Sequence, residues 1–460
     1  MADPFLTLKP TVRLLEEAGR PVGLEEPGNR RLRLPGDDPS RGDLLRALAG
    51  GGTLETLCGS GSRAALDRRY LLARIELEGW LRYALVRDGR ARATLEPLTR
   101  DFRFPAVRTG PCRLSRFAWI RRLEDGDLTL EAPLAFARMR LAGAEALAWI
   151  GPLAHPQTPD TLADATTLAR PEAETLLALL LASGAVAPCG EEGGLPEDRD
   201  PALRTWEFHD LLFHSRSRSG RHGNPTGGTF RFLESLDPPP AHRPPLPGPG
   251  TPLPEPVPPP KEPGFFRILE ARKSLRAPRD PPITLAQLGS FLHYVARTRS
   301  AMPPDPASGR FYEALSGPCP GSGGLHELDL FLSVARCAGL APGFYRYARD
   351  HHLLEPWPCA EAAWGNLLTQ AREAMGARTG PDILVTLAAR VQRVAWKYEA
   401  IAYALILKDA GVMLQQMYLV ATALGLAPCA LGTGDSQVFA RASGLDFLRD
   451  APVAEFALSG

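Results

Sequence analysis

The sequence predicts an α+β protein in which small helix-and-hairpin modules precede a larger mixed half. Three observations lead there. Residues 1–105 alternate helical and strand periodicity. A proline-rich stretch, LDPPPAHRPPLPGPGTPLPEPVPPPKEP at 236–263, interrupts the chain. Beyond Gly264, apolar helices and apolar strands take turns. At 460 residues the chain exceeds one ordinary core, so two or three domains are expected.

The elements follow in order. Residues 43–57 carry Leu44, Leu45 and Leu48 at helical spacing. Residues 68–81 form a second helical stretch with Leu71, Leu72, Ile75 and Leu81 among its apolar positions. Residues 84–87 and 91–98 flank Gly89 as a hairpin. Helix, helix and hairpin outline a winged helix over 1–105. A similar outline over 106–190 has an extended 128–138, a helical 144–150 and a strong helix at 172–184. Residues 191–200 are polar, acidic and glycine-containing, and read as a linker before a domain at 201–460.

The proline-rich arm at 236–263 forms neither helix nor central strand. It reads as an extended, surface-crossing spacer or as a polyproline docking segment. After it, 265–273 and 285–294 are helical, 328–335 is a strand and 381–388 is a strand of the buried type. Residues 398–407 and 412–424 read as two apolar helices separated by 408–411, with Asp409 as N-cap of the second.

Composition excludes several classes. The chain is 44% hydrophobic and 23% charged, with net charge +1 from 53 basic and 52 acidic residues. A near-neutral chain of this kind is not a phosphate-backbone binder, so nucleic acid is not an expected partner. Seven cysteines stand at 58, 112, 189, 319, 337, 359 and 429, without a CxxC pair. Neither a disulfide framework nor a metal site is expected. The start, MADPFLTLKP, lacks a basic-then-apolar signal, and the apolar run at 175–187 is too short to span a bilayer. The expectation is a soluble, cytoplasmic protein without membrane contact.

Four clusters could carry chemistry. Arg272-Lys273-Ser274-Leu275-Arg276 offers three cations and a hydroxyl to a phosphate, or is a solvated helix end. Pro320-Gly321-Ser322-Gly323-Gly324 lets the backbone approach a flat ligand, or is an ordinary loop. The chain has neither GxGxxG spacing there nor a P-loop. Trp396-Lys397-Tyr398 places a lysine beside a tyrosine in apolar surroundings, as a tuned acid–base pair or as a snorkelling lysine beside a core tyrosine. Pro428-Cys429-Ala430-Leu431-Gly432-Thr433-Gly434-Asp435 offers small residues and free backbone donors. Cys429 reads as a small core residue, with no histidine near it in sequence.

In this order the clusters resemble the SagB/ThcOx branch of the nitroreductase-like flavoproteins, in particular the cyanobactin-type azoline oxidases. The resemblance covers roughly 201–460. It includes TWEFHDLLFHSRSRSGRHGNPTGGTFRF at 205–232, ARKSLR at 271–276 and GSGGLHELDLFL at 321–332. It continues with WKYEAIAYALILKDAGVMLQQMYLVATALGL at 396–426, PCALGTGDS at 428–436 and the terminal AEFALSG.

The resemblance implies an FMN-binding nitroreductase-like α/β sandwich, paired as a homodimer with the flavin at the subunit interface. It implies Arg272, Lys273, Ser274 and Arg276 at the phosphate and ring edge, with Ser322, Gly323 and Gly324 against the isoalloxazine. Gln415 would lie on the interface helix, and Leu431 and Gly432 near the ring or phosphate. Lys397 and Tyr398 match the family's catalytic pair. Two positions depart: Gly321 stands where the family has serine, with Ser322 one residue later, and Lys273 stands where arginine is common. The N-terminal modules resemble the peptide clamps of such oxidases, which would hold the leader of a precursor peptide.

The expected activity is FMN-dependent oxidation of peptide thiazolines or oxazolines to thiazoles or oxazoles, with oxygen reoxidising the flavin and a cyclodehydratase as a possible partner. An NAD(P)H-dependent nitro or quinone reductase and a peptide-binding scaffold with an inactive flavin site are the alternatives.

Overall fold

The computed structural model describes residues 4–28, 30–34, 39–105, 110–190, 193–256 and 264–460. These residues form two compact units, Met1–Asn224 and Pro225–Gly460. The division falls later than residues 191–200. Helix Pro196–Arg199 lies inside the first unit, where Glu197 accepts from the Ser115 hydroxyl and the Arg116 amide, both at 2.7 Å. Helix Phe208–Arg216 is held there too, by Arg216 on Glu131 at 2.9 Å. Residues 191–192 of the expected linker and 257–263 of the arm lie outside the described residues. The modules 1–105, 106–190 and 201–460 stand as our proposal for how the sequence is organised.

In the first unit, an antiparallel six-stranded sheet runs in the order Phe5–Leu8, Leu81–Arg87, Arg90–Pro97, Ala137–Leu141, Leu128–Glu131, Trp119–Arg122. It joins both expected modules, because Ala137–Leu141 pairs with Arg90–Pro97. One core likewise runs through both, including Leu45, Leu48, Ile75, Met139, Leu176 and Leu180. The hairpin turns at Asp88 and Gly89, both with positive φ, as a two-residue turn matching strand twist requires. The expected helices appear as Pro39–Gly50, Leu54–Cys58, Arg63–Leu77 and Arg170–Ala182. The extended stretch at 128–138 is instead two strands, Leu128–Glu131 and Ala137–Leu141. A separate three-stranded sheet, Arg13–Glu17, Arg20–Glu26 and Arg30–Arg33, precedes the helices.

The second unit is a helix–sheet–helix sandwich. The strands of its main sheet are β1 (Thr251–Pro252), β2 (Leu328–Val334), β3 (Gly343–Ala348), β4 (Leu353–Pro356), β5 (Ile383–Arg390), β6 (Ala427–Leu431) and β7 (Asp450–Ser459). They lie in the order β1-β4-β3-β2-β5-β7-β6, all antiparallel. Every residue of β2 is buried, which explains its near-continuous apolar sequence.

The helices are α1 (Phe265–Ala271), α2 (Leu285–Ala296), α3 (Glu361–Met375), α4 (Val391–Lys397), α5 (Ala402–Ala423) and α6 (Ser436–Ser443). Leu330, Leu332, Val385 and Leu387 pack with α2 and α5. Phe331, Phe344 and Leu384 pack on the other face with α3 and α6. Deleting a ring such as fully buried Phe331 would cost about 3–5 kcal/mol.

The two apolar helices expected at 398–407 and 412–424 are one, α5. Its segment 408–411 contains no proline, and a single interior glycine costs only about 1 kcal/mol. Asp409 is therefore an interior helix residue and caps nothing. No described helix is long and apolar enough to cross a membrane.

Candidate functional site

The loop Ser322–Gly324 sits between α4 and α5. Gly323 and Gly324 have φ of 59° and 71°, conformations open to glycine at little cost. A Cβ on Gly323 would fall 2.3 Å from Lys397 Nζ and 2.6 Å from Tyr398 Oη, so both functional atoms converge on this glycine. Lys397 Nζ donates to Tyr312 Oη at 2.5 Å, and that hydroxyl donates to the Gly323 carbonyl at 2.6 Å. Burial disfavours the Lys397 ammonium. The hydroxyls of Tyr312 and Tyr398 outweigh it and raise Lys397 above its ordinary value.

Short-range packing fixes this arrangement. Trp396 is buried and donates from its indole to the Leu236 carbonyl at 2.8 Å. Phe230 meets the Trp396 ring edge-on at 5.7 Å, and the Thr229 amide donates to the Lys397 carbonyl at 2.9 Å. Ser322 turns towards α5: its amide and hydroxyl donate to Asp409 at 2.7 and 3.0 Å.

The cationic cluster lies elsewhere. Ser274 Oγ is 2.7 Å from Tyr418 Oη, which accepts from the Ala430 amide at 2.8 Å. The Leu275 amide donates to the Pro428 carbonyl, and the Arg272 guanidinium lies 5.2 Å from the Tyr418 ring centroid. Residues 272–276 are thereby brought to β6 at Pro428 and Ala430, in the strand that runs on to Leu431 and Gly432. Lys273 and Arg276 are exposed, and among the described residues no carboxylate pairs with Arg272, Lys273 or Arg276. Uncompensated cations with a hydroxyl beside them suit an FMN phosphate. Cys429 is buried, and burial raises its thiol, as a core residue would have it.

The expected residues thus fall into two groups. Ser322, Gly323, Gly324, Lys397 and Tyr398 form one. Arg272, Lys273, Ser274 and Arg276 form the other, at the strand that leads to Leu431 and Gly432. Asp409 and Tyr418 mark the two groups on α5, nine residues or about 14 Å apart along the helix. Gln415 lies between them, exposed, on a stretch that also exposes Tyr403, Leu407 and Val412.

Other contributors are not evident from the sequence. Tyr312 is one. Glu455 is another: a Cβ on Gly434 would lie 2.4 Å from its carboxylate, and burial pushes it up to about 7. His326 packs against Gly317 and Gly321, and burial lowers it to about 4, so it is neutral. The proline-rich arm is docked on its own unit. Arg393 donates to the carbonyls of Pro239, Leu325 and Glu313, and Arg390 to those of Pro240 and Ala241. Among the described residues, no group of three His, Cys, Asp or Glu could hold a metal ion.

Residues 112–223 match the family model of the cyanobactin oxidase ThcOx, and residues 269–458 match the nitroreductase family. Among solved structures, a protein described as a nitroreductase from Ralstonia eutropha JMP134 is 21% identical, covering 47% of this chain and 92% of its own, with TM-score 0.36. The Escherichia coli microcin synthetase McbBCD complex with truncated pro-MccB17 bound contains a chain 20% identical, covering 38% of this chain and 63% of its own, at 0.32. A nitroreductase from Desulfovibrio desulfuricans, in complex with FMN, is 14% identical, covering 43% and 86%, at 0.27. Comparison with curated proteins finds no match. Along the chain, a region similar to the cyanobactin oxidase ThcOx is thus followed by one that matches the nitroreductase family, and these two matches indicate an FMN-type oxidoreductase.

Proposed function

We propose that the protein oxidises thiazoline or oxazoline rings in a peptide to thiazoles or oxazoles, during maturation of ribosomally made peptides. The observation that carries this reading is the convergence of Lys397 and Tyr398 on Gly323, in a nitroreductase-family domain that follows a ThcOx-type region. Arg272, Lys273 and Arg276 would hold the FMN phosphate, with Ser274 beside them. The backbone at Ser322–Gly324 and the residues Gln415, Leu431 and Gly432 would border the remainder. When bound, FMN supplies the acceptor for a hydride from the ring, and oxygen takes the electrons onward.

The chain's own part is proton handling. The azoline C–H is acidified by the adjacent imine and carbonyl. A cationic Lys397 has no lone pair to receive that proton. Tyr398 can take it only as phenolate, becoming the neutral phenol, and the adjacent Lys397 ammonium favours that phenolate before the transfer. Tyr312 holds Lys397 in place from the other side.

The exposed stretch of α5, with Tyr403, Leu407, Val412 and Gln415, suits a second copy of the chain, and we place the homodimer interface there. The N-terminal unit would clamp the leader of the precursor peptide as a winged-helix-like module, with a cyclodehydratase supplying the azoline. We place the reaction in the cytoplasm. The test is a visible spectrum of the purified protein, then incubation with a thiazoline-bearing peptide and mass spectrometry. The Lys397→Met/Tyr398→Phe variant should stay yellow and lose turnover; retained turnover would exclude the assigned pair.

The nitroreductase match also favours a second reading, reduction of nitro or quinone compounds by NAD(P)H. It predicts nicotinamide-supported turnover of a nitroaromatic without peptide, and no loss in the Lys397→Met/Tyr398→Phe variant.

A further inference from the structure

Glu327 is fully buried just beyond the Ser322–Gly324 loop. Neither of its carboxyl oxygens has a well-formed hydrogen-bond partner, and the groups within reach are its own backbone amide and the Asp409 carboxyl on α5. Both Asp409 oxygens already accept from Ser322. A carboxyl donates only when protonated, and two carboxylates held together in a dry interior repel.

The charged and titratable groups around Glu327 do not neutralise it. Arg349 donates to the His326 and Leu328 carbonyls, and Arg393 to three other carbonyls. His326 is neutral, and burial raises the Cys319 thiol to about 11. Burial first, and then the Asp409 charge, push Glu327 up to about 7, against smaller lowerings by its own backbone amide and by Arg349.

We propose that Glu327 is a positioning residue: protonated, it donates to Asp409 and so fixes the Ser322–Gly324 loop against Lys397 and Tyr398. Its catalytic consequence rests on the reading of that pair given above. The contacts are continuous. Asp409 holds Ser322, the next residue's carbonyl accepts from Tyr312, and Tyr312 accepts from Lys397. Loss of the Glu327 proton sets two carboxylates against each other and loosens the loop.

The test is thermal unfolding of the full-length protein from about pH 5.5 to 9, comparing wild type, Glu327→Gln and Asp409→Asn. Unfolding requires neither peptide turnover nor an assigned substrate, so its outcome is separate from that of the azoline reading. An acid raised in the folded state stabilises below its ordinary range, and that contribution is lost as pH climbs through the raised value. Wild type should therefore lose midpoint temperature across the window. Glu327→Gln, which donates to Asp409 without titrating, should fall less and exceed wild type at the alkaline end. Glu455 titrates in every variant and cancels in the comparison. Parallel curves for wild type and Glu327→Gln would overturn the proposal. Should Glu327→Gln not fold, Asp409→Asn decides: a flatter curve supports the shared proton, and a parallel one overturns it. The positioning role further requires the alkaline limb of turnover to move to higher pH in Glu327→Gln; an unmoved limb overturns it.

Discussion

Lys397 Nζ donates to Tyr312 Oη at 2.5 Å, across 85 residues of sequence. The same hydroxyl donates to the Gly323 carbonyl, so one phenol ties the lysine to the glycine loop. Tyr312→Phe keeps the ring and removes both bonds. Turnover should fall by about 10- to 100-fold, less than the about 100- to 10,000-fold that a positioned acid or base itself contributes, since Tyr312 acts through Lys397. Stability should fall by about 1–3 kcal/mol, as for an unmet buried carbonyl. Steady-state kinetics and denaturant unfolding check the two values.

Gly323→Ala tests the convergence itself. The new methyl would meet Lys397 Nζ and Tyr398 Oη, and its φ of 59° costs an L-residue about 1–2 kcal/mol. Turnover should fall at least about tenfold while flavin absorbance persists. A variant as active as wild type would separate the pair from the loop.

The arginine cluster should govern flavin retention. Replacing Arg272 and Arg276 together by alanine should weaken FMN binding by about 100-fold or more, since charge-assisted bonds to phosphate are worth about 1.5–3 kcal/mol each. Fluorescence titration of the flavin-stripped protein measures it.

Much of this site is legible in the sequence, because adjacent residues carry it. Lys397 and Tyr398 stand side by side at the end of one helix, and 272–276 form one run. Tyr312 is not legible: nothing in FYEAL at 311–315 marks it, and only the fold brings it to Lys397. Asp409 is misread for a related reason. Its neighbours Ala410 and Gly411 resemble a helix break, whereas buried packing on both sides carries the helix through and leaves the carboxylate free to hold Ser322. The strand β7 has no clear alternation because both of its faces are covered, Phe456 and Leu458 packing in one core and Ala457 in another.

The proline-rich arm is similarly underdetermined by composition. Proline accounts for its lack of helix, but not for its docking. That comes from Arg390 and Arg393, far along the chain, whose buried guanidiniums seek carbonyl acceptors. Arg393→Met strands the carbonyls of Pro239, Leu325 and Glu313. It should cost about 3 kcal/mol or more and speed proteolysis within 236–246. Urea unfolding and limited digestion provide the check.

Glu455 gives a pH prediction separate from Glu327. Burial raises it to about 7, so its contribution is present in the ordinary carboxylate range and is lost as pH rises through that value. Glu455→Gln should equal or trail wild type near pH 5 and exceed it by about 2 kcal/mol at pH 8. Unfolding curves at the two pH values decide it.

The most direct test of the central claim is mass spectrometry of a leader-bearing thiazoline peptide incubated with the purified, flavin-loaded protein under air. The account predicts loss of two hydrogens per ring with wild type and none with the Lys397→Met/Tyr398→Phe variant. A fully flavin-loaded wild-type protein that leaves the peptide mass unchanged while reducing a nitroaromatic with NAD(P)H would contradict it.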